Sequence, residues 1–513
     1  MIRETNSIKI LGTDAVAVKC ETSVSTGIGI HLVGLPDQYT KESLLRTVTA
    51  LTVLGYRIPG KKIIINLAPS DLYKSGSSHD LAIAVGILAA SEQEPLPNLE
   101  NWFVYGELSL DGKLREVSGC VQAAEIAKKN NAAGCIIPSA NASEIAAHAE
   151  LLDIPVYAAE TLSEAVDIIN NPSDAKRLEH ESPSLNAEHP SFDLLKGNNA
   201  GKRAIEIAAA GNHNILVIGS PGTMKATLAK ALCELLPPMD EEEKLQAARI
   251  WSAAGKGESL AGNGFARPFR APHSSSSMSS LLGGGTSDAI LPGEVSLAHA
   301  GVLCLEDLTD FPKSFMEALR APLEDRYVTI SRLKSKVNYP ADFLLAATCL
   351  PCPCGYYGQG DRCTCTPAQK AAFYSRISGP IYDSIALQIY TQPLPPGAKD
   401  VPSESFEDVH ERIIRARRIQ AERFKGEPYS VNDRIPARDL DRYCPLNDES
   451  SQLLERIITA LSLSARAYSK IIRIARTVAD LEGESDIQPR HLAEASSFRF
   501  LDRMENIDRM ENK

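Results

Sequence analysis

Residues 214–227 read Asn-Ile-Leu-Val-Ile-Gly-Ser-Pro-Gly-Thr-Met-Lys-Ala-Thr. Asn214–Ile218 is a short apolar run of the length of a buried strand, and the residues from Lys225 to Leu235 carry a helical pattern. A strand, a glycine-bearing turn and a helix in succession form a unit of the nucleotide-binding kind. In the usual phosphate loop, G-x-x-x-x-G-K-[ST], backbone N–H groups cradle phosphate, the lysine reaches the outer oxygens and the hydroxyl ligates Mg²⁺. Gly219, Gly222 and Lys225 fit that pattern, and Thr223 lies inside it. Met224 stands in the second glycine's place, where a side chain crowds the phosphates. Ala226 removes the magnesium hydroxyl. Thr227 offers one a residue late, turned away by about 100°. The competing reading is an ordinary strand–turn–helix with a chance lysine.

Working outward, a second apolar strand, Gly301–Leu305, ends in Glu306-Asp307. Strands of this class end in Asp then Glu, the first for Mg²⁺ and the second for the attacking water. Here the order is reversed, which moves each carboxylate by one methylene; a displacement of about 1 Å can cost about 10²-fold in rate. The competing reading is a solvated strand end. A third strand, Phe343–Thr348, runs into a cysteine cluster, and a helix over Ala200–Ala210 precedes the first. Residues 1 to about 170 alternate strand-like segments (KKIIINLAP, FVYGELSL, GCIIP) with helical ones (Glu42–Leu54, Asp80–Ala90, Val121–Lys129), which indicates an α/β or α+β unit. The stretch from 171 to 192 is polar and proline-bearing and reads as a linker. After about Pro402 the chain is helical, near 405–424, 449–461, 465–482 and 488–497. The expected organisation is an N-terminal domain over 1–170, a linker over 171–192, a phosphate-loop core over 193–395, a helical domain over 396–500 and a tail over 501–513.

The chain has 513 residues, 43% of them hydrophobic, with a net charge of −11, which argues against a broadly basic, DNA-coating surface. No stretch reaches the roughly 18 apolar residues of a membrane span, and MIRETNSIKI has no signal-peptide core, so a cytoplasmic protein is expected. Among the eleven cysteines, Cys352, Cys354, Cys363 and Cys365 crowd into one loop. Thiolates in fours favour tetrahedral Zn²⁺ in a closed, structural site, against reduced thiols in a surface loop. Val328–Val337 reads as a hairpin on which Arg332, Lys334 and Lys336 alternate, and period-two spacing places all three on one face. That face is read either as a contact for DNA phosphates or as a solvated basic surface.

The order and spacing of many segments resemble the magnesium-chelatase-like AAA+ family in its ComM/YifB branch. They run from VGLPDQYTKES through INLAPSDLYKSGSSHDLAIAVGILAAS, YGELSLDGKLREV and KRAIEIAAAGNHNILVIGSPG. They continue with RPFRAPH, PGEVSLAHAGVLCLEDL, APLEDRYVTISR, LPCPCGYYGQG, RISGPIYDSIALQI and LSARAYSKIIRIARTVADL. The resemblance implies an α/β architecture with a Lon-protease-like (ChlI-type) N-terminal domain, an AAA+ P-loop core and a C-terminal helical lid. It implies hexameric, ATP-driven DNA motors that promote branch migration in natural transformation; other relatives drive magnesium insertion into porphyrin. Arg466, in Ser-Ala-Arg-Ala, matches the family's sensor arginine. Departures from the family pattern are Met224, Ala226, the Glu306-Asp307 order, Leu350 in place of a sensor asparagine, and Ser384 and Ala386 where the family reads Asp-Arg-Ile-Asp with a finger arginine. An arginine finger can be worth about 10³–10⁵ in rate. The leading reading is therefore an ATP-binding, ring-forming, DNA-associated protein with weak or lost hydrolysis, as a homo-oligomer or in a mixed ring with an active homologue. The alternatives are an active DNA translocase and a chelatase-type subunit acting on partner proteins. Lys74-Ser-Gly-Ser-Ser78 resembles the serine segment of the Lon fold, but Glu116–Val121 lacks the lysine that would activate it, with Val121 in the likely place, so peptidase activity is not expected. His79 is read as a buried or surface histidine rather than a base, and His273 and His299 are left without a role.

Overall fold

The computed structural model describes residues 2–501 apart from positions 75, 181–188, 287–288, 333–334, 378, 394–396, 398–402 and 462. Residues 181–188 of the expected linker, the tail after Leu501, and Lys334 lie outside the described residues.

The first half is organised on a mixed sheet. Strands β1 (Ile2–Leu11) and β2 (Asp14–Ser25) form an antiparallel hairpin, joined by β3 (Gly29–Val33), β4 (Lys62–Ala68), β5 (Trp102–Val104), β6 (Gly134–Pro138) and β7 (Val156–Ala159). The order across the sheet is β3-β4-β2-β1-β5-β6-β7. The β1–β2 hairpin was not legible as strands, because its centre is polar and yet buried. Thr5, Asn6 and Ser7 lie on the inside, where Thr5 Oγ1 donates to the Ala82 carbonyl at 3.2 Å and Asn6 Nδ2 to the Glu100 carbonyl at 2.7 Å. Satisfying buried polar groups in this way removes the penalty that their polarity would carry. Helices α1 (Gln38–Val53), α2 (Asp80–Ala90) and α3 (Cys120–Lys129) cover the sheet. Every residue of α2 is buried, as its unbroken apolar run predicts. Its close approach requires Gly86, where a Cβ would lie 2.7 Å from Thr22 Oγ1.

Beyond the linker, helix α4 (Asn199–Gly211) leads into β8 (Ile215–Gly219), then α5 (Lys225–Leu235) and α6 (Glu241–Ala253). There follow β9 (Phe269–Arg270), β10 (Val302–Leu305), the hairpin β11 (Tyr327–Arg332) and β12 (Ser335–Pro340), β13 (Leu344–Cys349), helix α7 (Gly379–Ser384) and β14 (Leu387–Thr391). Strands β9-β10-β13-β8-β14 make a five-stranded sheet, in that order, with every pairing parallel. Helices lie on both faces, as a parallel sheet needs, so β8, β10 and β13 read as continuous apolar runs. The C-terminal region is helical, with α8 (Phe406–Arg423), α9 (Asp448–Leu461), α10 (Ala465–Glu482) and α11 (Pro489–Ser497). Its apolar faces join those of α4 and α5 in one core. No helix among the described residues is long and apolar enough to cross a membrane.

The two sheets are locked together through α6. Its Ala247, Ala248, Ile250 and Trp251 enter the same apolar cluster as Val121, Ala124 and Ile137 of the first half. Arg249 forks onto Glu125 of α3 with its Nε 3.0 Å from both carboxylate oxygens, and Gln122 Nε2 donates to the Arg249 carbonyl at 2.8 Å. Glu144 closes the same contact, accepting from Ser252 Oγ at 3.4 Å while its backbone N–H donates to Glu258 at 3.2 Å.

Burial, and then the facing charge of Glu258, push the Glu144 carboxyl up to about 8. Between its ordinary value of 4.5 and that value, the folded chain holds one proton more than the unfolded chain, so stability falls as pH rises through the window. Glu144→Gln is expected to remove this slope of about 1.4 kcal/mol per pH unit. Thermal scans should show the variant gaining on the parent near pH 8 and not near pH 5.

Candidate functional site

Strand β8 delivers Gly219 to a turn with no room for a side chain. A Cβ there would lie 2.3 Å from Thr391 Oγ1 and 2.5 Å from Thr223 Oγ1. Those two hydroxyls hydrogen-bond each other at 3.0 Å, Thr391 Oγ1 lies 3.2 Å from the Ile218 carbonyl, and Thr223 Oγ1 donates to the Ser220 carbonyl at 2.8 Å. The Thr223 hydroxyl is thus engaged in holding the turn. Lys225 folds back over it, its Nζ 2.9 Å from the Gly219 carbonyl and 3.1 Å from the Ser220 carbonyl. Desolvation lowers the pKa of this half-buried lysine, against the field of Asp307. Met224 sits at the start of α5 with φ 59° and ψ 28°, the left-handed conformation that a glycine takes freely and other residues take at a cost of about 1–2 kcal/mol. The backbone has therefore kept the shape of a glycine position under a methionine side chain, which packs toward the core. Ala226 has no side-chain oxygen.

At the carboxyl end of β10, Glu306 and Asp307 are both exposed. Asp307 has φ 51°, and its N–H donates to Thr348 Oγ1 at 3.0 Å. Its charge reaches Lys225, whereas that of Glu306 falls on Cys304. Leu350, after β13, packs against apolar neighbours and has nothing with which to contact a phosphate.

Arg466 does not join this site in its own chain. It pairs with the carboxylate of Asp383, in α7, next to Ser384, whose hydroxyl turns back to the Ile381 carbonyl at 2.7 Å. Helix α7 feeds the amino end of β14, and β14 pairs with β8 from Ile215↔Leu387 to Gly219↔Thr391. The Asp383–Arg466 pair therefore lies before the amino end of β14, whereas Thr391, beside Gly219, ends that strand.

The four cysteines do converge, with all four sulfurs within 4.8 Å of one another. Cys352 and Cys354 are 3.3 Å apart, Cys352 and Cys363 3.8 Å, Cys354 and Cys363 3.7 Å. Tetrahedral zinc at Zn–S of about 2.3 Å needs S···S edges of about 3.8 Å, so the residues fit a four-thiolate metal site. The backbone N–H of Tyr356 lowers the Cys354 thiol to about 6. The spacing could not show where this loop lies. Gln359 Nε2 donates to Ser220 Oγ at 2.8 Å, and Tyr390 OH to the Tyr357 carbonyl at 2.6 Å, so the thiol loop leans on the phosphate-loop turn.

The basic hairpin differs from expectation. Arg332 and Ser335 pair across its two strands, while Lys336 pairs with Ser331. Opposed residues share a face, so Arg332 lies on the side of the buried Val328 and Ile330, and Lys336 on the other. The two charges do not form one stripe; Arg332 Nε donates to the Gly285 carbonyl at 3.0 Å. In the first half, His79 is buried, 3.0 Å from Ser7 Oγ, and burial drives it down to about 4, so it stays neutral. Val121 is fully buried in the apolar contact with α6, which leaves no base in the place expected for one beside Ser78. His273 is exposed, 2.7 Å from Ser275 Oγ. His299 is structural: its Nδ1 accepts from the Asp342 N–H at 3.1 Å, which leaves Nε2 to donate to Gln246 Oε1 at 3.0 Å.

Fold and site together define an α/β protein with a lysine-bearing loop at the carboxyl edge of a parallel sheet and a helical C-terminal region. The family described as magnesium chelatase, subunit ChlI, matches residues 191–398, with its ChlI subunit region matching 20–141 and its C-terminal region 403–499. The chain is 38% identical to Uncharacterized protein YifB of Salmonella typhimurium and 39% identical to Competence protein ComM of Haemophilus influenzae, each over 96% of both proteins. It is also 29% identical to Lon protease 2 of Bacillus subtilis over 138 residues, 26% of this chain and 24% of that one. The chain belongs to the magnesium-chelatase-like family, in its ComM/YifB branch.

The crowding at Gly219 gives a direct check. Gly219→Ala forces a methyl against two hydroxyls and the Thr391 carbonyl, 2.7 Å away, and is expected to cost about 1–3 kcal/mol. A thermal unfolding midpoint equal to that of the parent would contradict the packing described.

Proposed function

We propose that this chain is an AAA+ ring protein that binds ATP and turns it over weakly or not at all. Its organisation is a Lon-like domain over 1–170, a core over 193–395 and a helical lid over 396–500. The observation that carries this reading is the state of the loop. Gly219, Gly222, Thr223 and Lys225 keep the backbone cradle and its ammonium, while Ala226 lacks a hydroxyl and that of Thr223 is already engaged. Phosphate binding asks for the first set and Mg²⁺ for the second. In a ring, the edge that carries Ser384 and Arg466 faces the neighbour's loop, so Arg466 serves the neighbour, and the missing finger at Ser384 weakens turnover there. Glu306 and Asp307 supply acids in inverted order. Resemblance to a competence protein supports DNA as the partner, met on the Lys336 face of the basic hairpin, opposite Arg332. Cys352, Cys354, Cys363 and Cys365 hold a structural Zn²⁺.

Steady-state ATP hydrolysis with Mg²⁺, with and without branched DNA, is expected to equal that of a Lys225→Ala control, while calorimetry detects ATP binding that the control loses. Turnover near 1 s⁻¹, an ordinary lower value for enzymes, that vanishes in the control would overturn the reading in favour of an active translocase. Restoring the loop with Met224→Gly and Ala226→Thr together is expected to tighten Mg²⁺-dependent nucleotide binding about tenfold or more, the value of one recovered charge-assisted contact.

For the thiolates, one equivalent of zinc per chain is expected on thiol release. Cys363→Ser should lose it and lower the unfolding midpoint. A metal-free parent of unchanged stability would refute the site.

A further inference from the structure

A second charged cavity lies at the opposite edge of the parallel sheet. It has a volume of about 280 Å³ and is bounded by the segments that enter β10 and β13, by Arg326 at the start of the hairpin, and by α8 with the segment Pro428–Arg434. Four guanidinium groups line it, Arg267, Arg326, Arg417 and Arg434, against two carboxylates, Glu243 and Asp342.

The pairing among these six is unequal. Arg267 is saturated, with Nη1 at 3.1 Å and Nη2 at 2.8 Å from the two oxygens of Glu243 and a further bond to the Ala300 carbonyl at 2.5 Å. Arg434 takes the carboxylate of Asp342. Arg326 is left 4.0 Å from that same carboxylate, and its buried Nε has no hydrogen-bond partner. Arg417 spends Nε and Nη2 on one neutral acceptor, the Ala209 carbonyl, at 3.1 and 2.6 Å, and makes no ion pair among the described residues. Asp433, whose charge also acts on Arg326, is engaged with His213 at 3.1 Å. Desolvation lowers Arg326, against the field of Asp342, and drives Arg417 down to about 10, against the more distant field of Glu243, as burial of a weakly paired cation does.

Leaving two guanidinium groups so placed is costly unless an anion supplies the missing acceptors. Their planar forks match the tetrahedral oxygens of phosphate, in paired hydrogen bonds. We propose that this cavity binds a small oxyanion of the phosphate class between Arg326 of the core and Arg417 of the C-terminal helices, and that the bound anion ties the two regions together. The cavity stands a strand's length from Lys225, so the proposal does not rest on nucleotide binding at the loop.

The test uses the full chain carrying Lys225→Ala, which silences the loop. Isothermal titration with inorganic phosphate, against chloride at matched ionic strength, is expected to show saturable binding, with a rise in the unfolding midpoint. Arg417→Gln and, separately, Arg326→Gln should weaken that binding about tenfold or more. Arg417→Lys, which keeps the charge and loses the fork, should fall between. Absence of saturable phosphate binding in the Lys225→Ala chain overturns the proposal, as does binding that neither substitution changes. An ADP arm separates the sources: Arg417-dependent binding of ADP tighter than that of phosphate assigns the oxyanion to a nucleotide, and equal or weaker binding assigns it to free phosphate.

Discussion

Strand polarity is the constraint on which the rest of this molecule depends. All five strands of the second sheet run the same way, so whatever follows a strand gathers at one edge and whatever precedes it gathers at the other. The Lys225 turn follows β8, the acids follow β10 and the thiol loop follows β13. Together they make the carboxyl edge, where ligands of open α/β sheets bind. Ser384 with Arg466, and the arginine-lined cavity, lie at the amino edge for the same reason.

At the carboxyl edge the loop is held by two hydroxyls and the Lys225 ammonium. Thr223, Thr391 and Lys225 bind loop carbonyls, and Gln359 adds a bond from the thiol loop. The lysine is stored against its own backbone, where a phosphate must compete for it. A metal at the four thiols would stiffen the loop that carries Gln359, and so the turn beside it. At the amino edge the balance is reversed, with guanidinium groups in excess of carboxylates in a chain whose overall charge is −11. Global charge therefore says little about where anions are welcome.

The first half meets the second along a single seam built on α3 and α6. Where an activating lysine was sought near Ser78, Val121 instead packs against α6, and His79 has become a neutral, buried partner of Ser7. The surface around Val121 forms the seam with the second sheet, with Arg249–Glu125 and Glu144 as its polar contacts.

Much of this was legible in the chain itself. The helix over Asp80–Ala90, the strand–turn–helix at 214–235, the strands before Glu306 and Cys352, and the C-terminal helices follow from local periodicity, since each is decided by which face must be apolar. The departures at Met224, Ala226 and Ser384 are equally plain, because a missing hydroxyl or guanidinium is a fact of composition. The β1–β2 hairpin was hidden, because buried Thr5 and Asn6 are satisfied by partners some 80 to 95 residues away. The basic hairpin differs from its sequence pattern, because strand pairing sets Arg332 opposite Ser335 and Lys336 opposite Ser331, on different faces. Which arginine meets which carboxylate, the removal of Arg466 from its own chain's loop, and the leaning of the thiol loop on Ser220 were decided only by the tertiary structure. Sequence fixes what each residue can donate, accept or bury; the relative placement of strands and helices decides which of those capacities meet and which are left over.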